Sequence, residues 1–174
     1  MGLRWSMENI LGWRSQYQRM ERWLGRIGAQ AGSEADHDLL DMYLAFFLNC
    51  YSLRDWFVKS GVIAEADLDM LIQRSRQMRL CRDLCNRSKH LRISRPSTDA
   101  DFSIIRAYRG PYRSNEPDYT LAIIAEDAQE IQQTDLWGVA HGCARFWSDF
   151  IRDHKPPEPT NPFDRSATGN STTP

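Results

Sequence analysis

Apolar side chains recur every three or four residues over long segments of this chain, which is the spacing of one face of an α-helix. The first segment predicts an amphipathic helix over residues 6–30, and the next predicts a second helix over about 35–59. A third helix is predicted from near Ala64 to just before Arg95-Pro96, since the residue before a proline disfavours helical backbone. The clearest pattern of all predicts a fourth helix over 136–154.

Between the third and fourth helices the apolar pattern changes to strict alternation, which is typical of a β-strand. Two alternating runs, separated by a segment rich in turn residues, predict a β-hairpin over about 101–126, and a short third strand is predicted near 130–133. The expected fold is therefore mainly α: a four-helix antiparallel bundle with the β-hairpin inserted between helices three and four. Residues 1–154 are expected to form this single domain. The last segment, 155–174, holds five prolines and few apolar residues, so it is predicted to be a disordered tail.

Composition excludes several classes of function. The net charge of -1 gives the whole chain no general attraction to nucleic acid or membrane. The sequence has no Gly-rich phosphate loop, nucleophile elbow, His-Glu-x-x-His or Cys-x-x-Cys motif, which disfavours the common nucleotide, hydrolase and metalloprotease classes. No apolar run is long enough to cross a membrane. Four scattered cysteines and the lack of a secretory leader favour a reducing cytoplasm.

Although the net charge of the chain is close to zero, one segment of it is strongly basic. Residues 74–95 carry eight Lys or Arg residues and a single acid, Asp83. On a helix, Arg79, Asp83, Asn86 and His90 form one polar stripe with Arg87 beside it. A stripe with a titratable His, an amide and several cations is a candidate functional site, in which Arg79, Arg82, Arg87 and Lys89 are the cations. Tyr51 and Asp55 on the second helix are expected to support it.

Two motifs carry a resemblance to known proteins. The run from Asp83 to His90 has the form D-x-x-N-x-x-K-H, and residues 46–56 read FFLNCYSLRDW on the preceding helix. Together they resemble a group of small uncharacterised bacterial helical-bundle proteins, over roughly residues 38–152. At the level of fold, the bundle and the Asn-x-x-x-His ending also resemble the HEPN superfamily, whose active members are metal-independent ribonucleases or RNA-binding proteins of toxin and defence systems.

The resemblance implies a role for each residue of the stripe. His90 would exchange protons with the RNA 2′-hydroxyl or leaving oxygen, and Asn86 would orient it or bind the phosphate, with Asp83 as a third catalytic candidate. Arg79, Arg82, Arg87 and Lys89 would bind RNA, a homodimer would bring two stripes together, and no cofactor is expected. Cys85 stands where the HEPN pattern has an Arg, so an Arg from a neighbouring turn would replace it, and whether the protein is an enzyme stays open.

Each feature also has a structural interpretation. Asp83 can serve in ion pairs with arginines one turn away, while Asn86 and His90 can tie the helix end to the next loop or to Asp55. The basic segment can be a solvated face. In that case the chain is a noncatalytic protein–protein interaction module. The cysteines fall on inner helical faces and are expected to be core residues rather than metal ligands, with zinc as the weaker alternative for Cys50, Cys81, Cys85, Cys143 and His141.

Overall fold

Five helices and a small sheet make up the described part of the chain. The computed structural model describes residues 12–30, 36–89, 102–108, 119–125 and 133–158. In chain order the elements are α1 (Gly12–Gln30), α2 (Asp36–Lys59), α3 (Glu65–Arg74), α4 (Arg76–Lys89), β1 (Phe102–Tyr108), β2 (Tyr119–Ala125), β3 (Gln133–Asp135) and α5 (Leu136–His154). The prediction of a mainly α fold is confirmed. Within these ranges no helix has the length and apolar character required to cross a membrane.

The predicted third helix is two helices, and the prediction of one continuous element was wrong at Ser75. The backbone of Ser75 is extended, with φ -95° and ψ 114°, and its N–H donates to the carbonyl of Ile72 at 3.1 Å. Its hydroxyl accepts from the N–H of Met78 at 3.3 Å, which caps the start of α4. A serine side chain competes with the helix for backbone hydrogen bonds, so α3 ends and α4 begins at this residue. Within the described ranges the helix count is therefore five rather than four.

Helix α2 is the central element of the core, since it contacts all four other helices. Phe57 near its end stacks on Trp13 of α1, with ring centroids 5.3 Å apart, and on Trp147 of α5 at 5.4 Å. The indole N–H of Trp147 donates to the carbonyl of Cys50 at 3.0 Å. Aromatic packing and one buried hydrogen bond thus hold α1, α2 and α5 together.

The sheet has the order β1-β2-β3 and is antiparallel throughout. The predicted hairpin is present as β1 and β2, with Ile104 opposite Ile123. The third strand spans Gln133–Asp135, while most of its predicted range lies outside the described residues. Asp135 ends this strand and caps α5, because its carboxylate accepts from the N–H groups of Trp137 and Gly138. The sheet therefore lies against α5.

The first residues after α5 run back against α1. Lys155 takes a left-handed conformation with φ 44° and ends the helix. The indole N–H of Trp13 donates to the carbonyl of Pro157 at 3.1 Å, and Arg14 pairs with Glu158. Residues 155–158, the start of the predicted tail, are thus held by contacts. Residues 159–174, and residues 6–11 of the predicted first helix, lie outside the described residues.

Candidate functional site

Helix α4 carries most of the predicted site residues. Arg79, Arg82, Asp83, Asn86, Arg87 and Lys89 all lie on it. His90 follows the last residue of α4 and lies outside the described residues, as does the side chain of Lys89. The structure therefore describes the helical part of the stripe but not its terminal histidine.

Asp83 is withdrawn from solvent. Its accessible surface is 0%, although the residue is an acid on a helix with very polar neighbours in sequence. One carboxylate oxygen lies 4.0 Å from Nε of Arg82. A carboxylate is buried only when polar groups inside the protein replace its water. Asp83 therefore packs in the protein interior and has no accessible surface for a substrate to contact.

The three arginines of the site, Arg79, Arg82 and Arg87, and the amide of Asn86 are all partly accessible. Arg79 donates to the carbonyl of Gln73 at 2.5 Å, which covers the carboxyl end of α3. Arg87 donates to the carbonyl of Phe102 at 2.6 Å, and its guanidinium lies 5.2 Å from the centre of the Phe102 ring. Arg82 keeps 26% of its side-chain surface accessible, and Asn86 is half-buried. Arg79 and Arg87 thus combine a structural contact with a charge at the surface.

The charge on the surface of α4 is entirely positive. Asp83 is the only acidic residue in the helix sequence, and it is buried. The accessible charged side chains that the structure describes on α4 are therefore all arginines. We call this set the basic face of α4: Arg76, Arg79, Arg82 and Arg87. A helix surface of one charge sign attracts a polyanion, even though the whole chain is nearly neutral.

Asp55 pairs with its own sequence neighbour. The structure places one of its oxygens 3.0 Å from Arg54, whereas the sequence suggested His90 or an arginine of the third helix. His90 is outside the described residues, so only the pair with Arg54 is seen. Asp55 is exposed and lines a cleft of about 440 Å³ with Gly12, Ser52, Trp56, Lys59 and Ser60.

Arg54 forms an ion-pair group that the sequence did not indicate. Its guanidinium holds both carboxylate oxygens of Asp69, at 2.6 and 2.7 Å, and reaches Glu65 at 2.7 Å. The hydrogen bond from Arg54 lowers the pKa of Asp69, and the hydrogen bond to Asp69 raises the pKa of Arg54. This group joins α2 to α3, which fixes the start of the segment that leads into α4. An i, i+4 pattern of acids in α3, Glu65 and Asp69, was the available signal.

Tyr51 lies on α2 and is half-buried. Burial raises the pKa of Tyr51, while the nearby charges of Arg82 and Arg54 act to lower it. The charge of Arg82 on α4 therefore acts on this residue of α2. A supporting role for Tyr51 stays a prediction.

A second cleft lies beside the amino-terminal half of α4. Its volume is about 250 Å³, and it is lined by residues of α4, β3 and α5. Arg76 reaches across it and donates to the hydroxyl of Thr134 at 3.2 Å. The guanidinium of Arg76, the hydroxyl of Thr134 and glutamine side chains thus line this cleft beside α4.

Three of the four cysteines come together in the core. The sulfurs of Cys50, Cys81 and Cys143 all lie within 4.8 Å of one another, and each residue comes from a different helix. Cys85 is buried but outside this group, and His141 is exposed and packs against Trp137. Sequence spacing placed each cysteine on an inner face. The zinc alternative named these three cysteines together with Cys85 and His141, but the level at which the three helices meet is not encoded in that spacing, so the sequence did not show which of the five come together.

No protein-family model, no curated protein and no solved structure matches this chain. The residues and geometry of the chain are therefore the basis for its functional assignment.

Proposed function

We propose that this protein is an RNA-binding helical-bundle module of the HEPN type, with α4 as its binding element. The observation that carries the proposal is the basic face of α4, whose one acid, Asp83, is fully buried. Phosphate contacts by Lys and Arg supply most of the affinity in nonspecific RNA binding, so a helix face without surface acids suits this role. We also propose that the helices pack as an antiparallel bundle, in which α3 and α4 together take the place of one bent helix.

A metal-independent cleavage site at the end of α4 is the more specific form of this proposal. Arg82, Asn86 and His90 are spaced by four residues each, which on a continuous helix puts them in one row. Cys85 is buried and carries no charge to offer a phosphate. We assign the cationic role to Arg82, because Arg79 and Arg87 already donate to backbone carbonyls. His90 then acts as the proton-exchanging group, and Asn86 orients the phosphate.

The assembly and setting belong to the same proposal. A homodimer that brings two α4 helices together would double the positive charge and place two His90 residues in one groove. The resemblance of the motif implies a bacterial toxin or defence setting, and the reduced cysteines suit a cytoplasmic location. Light scattering of the purified chain measures the oligomeric state directly.

RNA binding is tested by titrating a fluorescein-labelled single-stranded RNA of mixed sequence at several salt concentrations. We expect log Kd to rise linearly with log salt, with a slope of about 0.7 per phosphate contact. Arg82→Gln and Lys89→Gln each remove one such contact and lower the slope by about 0.7. Arg22→Gln, an exposed cation on α1, is the matched control and leaves the slope unchanged. Absence of binding, or an equal effect of Arg22→Gln, would refute the proposal and favour the protein-interaction module.

Cleavage is tested on the same RNA with EDTA present. The specific form of the proposal expects cleavage by the wild type and its loss in folded His90→Ala, with binding retained. Circular dichroism confirms that the variant is folded. Binding without cleavage would contradict the nuclease form and leave a noncatalytic RNA-binding module.

A further inference from the structure

The buried sulfur cluster is independent of the RNA-binding proposal and carries an inference of its own. Cys50 of α2, Cys81 of α4 and Cys143 of α5 are 0% exposed, and their sulfurs lie within 4.8 Å of one another. Three sulfurs bonded to one atom at about 2.3 Å, the usual metal–thiolate distance, are at most about 4.0 Å apart. Small side-chain rotations are enough to close the three sulfurs onto a shared atom.

The thiols of Cys81 and Cys143 favour the neutral form. The sulfur of Cys81 donates to the carbonyl of Phe47 at 3.5 Å, and that of Cys143 donates to the carbonyl of Gln77 at 3.3 Å. A carbonyl oxygen only accepts, so both sulfurs carry their protons in this arrangement. Burial raises the pKa of both thiols well above the ordinary value.

Charge and coordination number select the class of occupant. Three thiolates around a monovalent ion leave a net charge of about -2 in the core, and three around a divalent ion leave about -1. Burying either net charge is costly unless a cation lies beside it. A trivalent atom leaves none. Within the described residues the group contains no histidine or carboxylate, so it offers three donors rather than the four that zinc prefers. A soft, three-coordinate, trivalent atom meets both conditions.

We propose that Cys50, Cys81 and Cys143 form a binding site for trivalent arsenic, which enters as arsenous acid. Each sulfur forms one S–As bond and displaces one hydroxyl from arsenic. The proton of each thiol leaves with that hydroxyl as water, so one arsenous acid and three thiols give the tris-thiolate and three waters. No oxidant or reductant is needed, and the product is uncharged.

The test uses the full chain, kept reduced with a phosphine and incubated with sodium arsenite. Because the sulfurs are buried, arsenic enters when the helices open locally, and the incubation must be long enough for this. Intact-protein mass spectrometry is expected to show a gain of one arsenic atom less three hydrogens. X-ray absorption is expected to show three As–S bonds and no As–O bond. A two-sulfur site, which retains a hydroxyl on arsenic, or no uptake at all, overturns the proposal.

Cysteine variants assign the ligands. Cys50→Ala, Cys81→Ala and Cys143→Ala each remove one S–As bond and are expected to weaken arsenite binding on the order of 100-fold, the loss of one tethered ligand. Cys85→Ala is the matched control, because Cys85 is equally buried on α4 but lies outside the cluster. Equal weakening by Cys85→Ala, or preference of the wild type for Zn²⁺ over arsenite, rejects the site. If a cluster variant fails to fold, the coordination number measured on the wild type still decides the question.

Discussion

At the scale of single residues, Asp83 shows how far a side chain's role depends on its surroundings. The residue is an acid in a helix of arginines, and yet its carboxylate has no accessible surface. Its burial has two consequences. It removes the only negative charge of the helix from the surface of α4, and it makes the packing of α4 depend on polar partners of that carboxylate, with Nε of Arg82 4.0 Å away.

Replacement of Asp83 by Ala is therefore expected to destabilise the protein. Loss of this buried carboxylate leaves the polar groups that replace its water unpaired, Arg82 among them, which costs about 2–3 kcal/mol of unfolding free energy. Urea denaturation followed by circular dichroism measures the change. Asp153→Ala is the control, since Asp153 is 60% exposed and pairs with Arg152 beside it on α5; its effect is expected to stay within about 0.5 kcal/mol. Similar losses in both variants would show that Asp83 is not a buried support.

At the scale of elements, the junctions between helices matter more than the helices themselves. Ser75 divides α3 from α4 and caps the latter, and Arg54 ties α3 to α2 through a two-point contact with Asp69. Helices α4 and α5 approach closely at Gly142, where an added Cβ would lie 2.6 Å from Cγ of Gln77. The position of the basic face is thus set by contacts at the ends and along one side of α4.

Two glycine substitutions separate helix propensity from helix packing. Gly25→Ala, on the exposed side of α1 where an added Cβ meets nothing within 4 Å, is expected to stabilise the protein by about 0.5–1 kcal/mol. Gly142→Ala gains the same propensity, but its Cβ has to displace the Gln77 side chain at the contact between α4 and α5, with an expected net loss of about 1–2 kcal/mol. Thermal unfolding of both variants checks the prediction. A stabilised Gly142→Ala protein would argue against the close approach of the two helices.

At the scale of the whole molecule, the two ends of the described chain support each other. The segment after α5 crosses α1, where Pro156 is buried, Pro157 accepts from Trp13 and Glu158 pairs with Arg14. Trp13 in turn stacks on Phe57 in the core. The contact between the first helix and the segment after the last one is therefore an extension of the aromatic core.

Two truncations test this connection between the chain ends. A chain that ends after His154 loses the acceptor for the Trp13 indole and the partner of Arg14. Its free energy of unfolding is expected to be about 1–2 kcal/mol lower than that of the full chain. A chain that ends after Glu158 keeps both contacts and is expected to match the full chain. Chemical denaturation of the two proteins under identical conditions makes the comparison. Equal stability of the two truncated proteins would contradict a supporting role for residues 155–158.

The spacing of apolar residues along the chain was enough to place most of the helices and strands. The second helix, the hairpin and the last helix were predicted close to their observed bounds, because helical and alternating spacing reflect which face of each element is buried. The break at Ser75 was not predicted, since the apolar spacing continues through it and only the hydroxyl that caps α4 marks the change. The basic character of α4 was also readable, because charge is a property of composition.

Distances between elements decided the rest. Whether Asp83 faces solvent or the core, and whether Arg87 reaches the Phe102 carbonyl, depends on where the sheet and the other helices pack against α4. The same holds for Cys50, Cys81 and Cys143, which are separated by tens of residues and meet only because three helices converge at one level. Periodicity states which face of a helix is buried, but the partner on that face is chosen by the packing of the complete core.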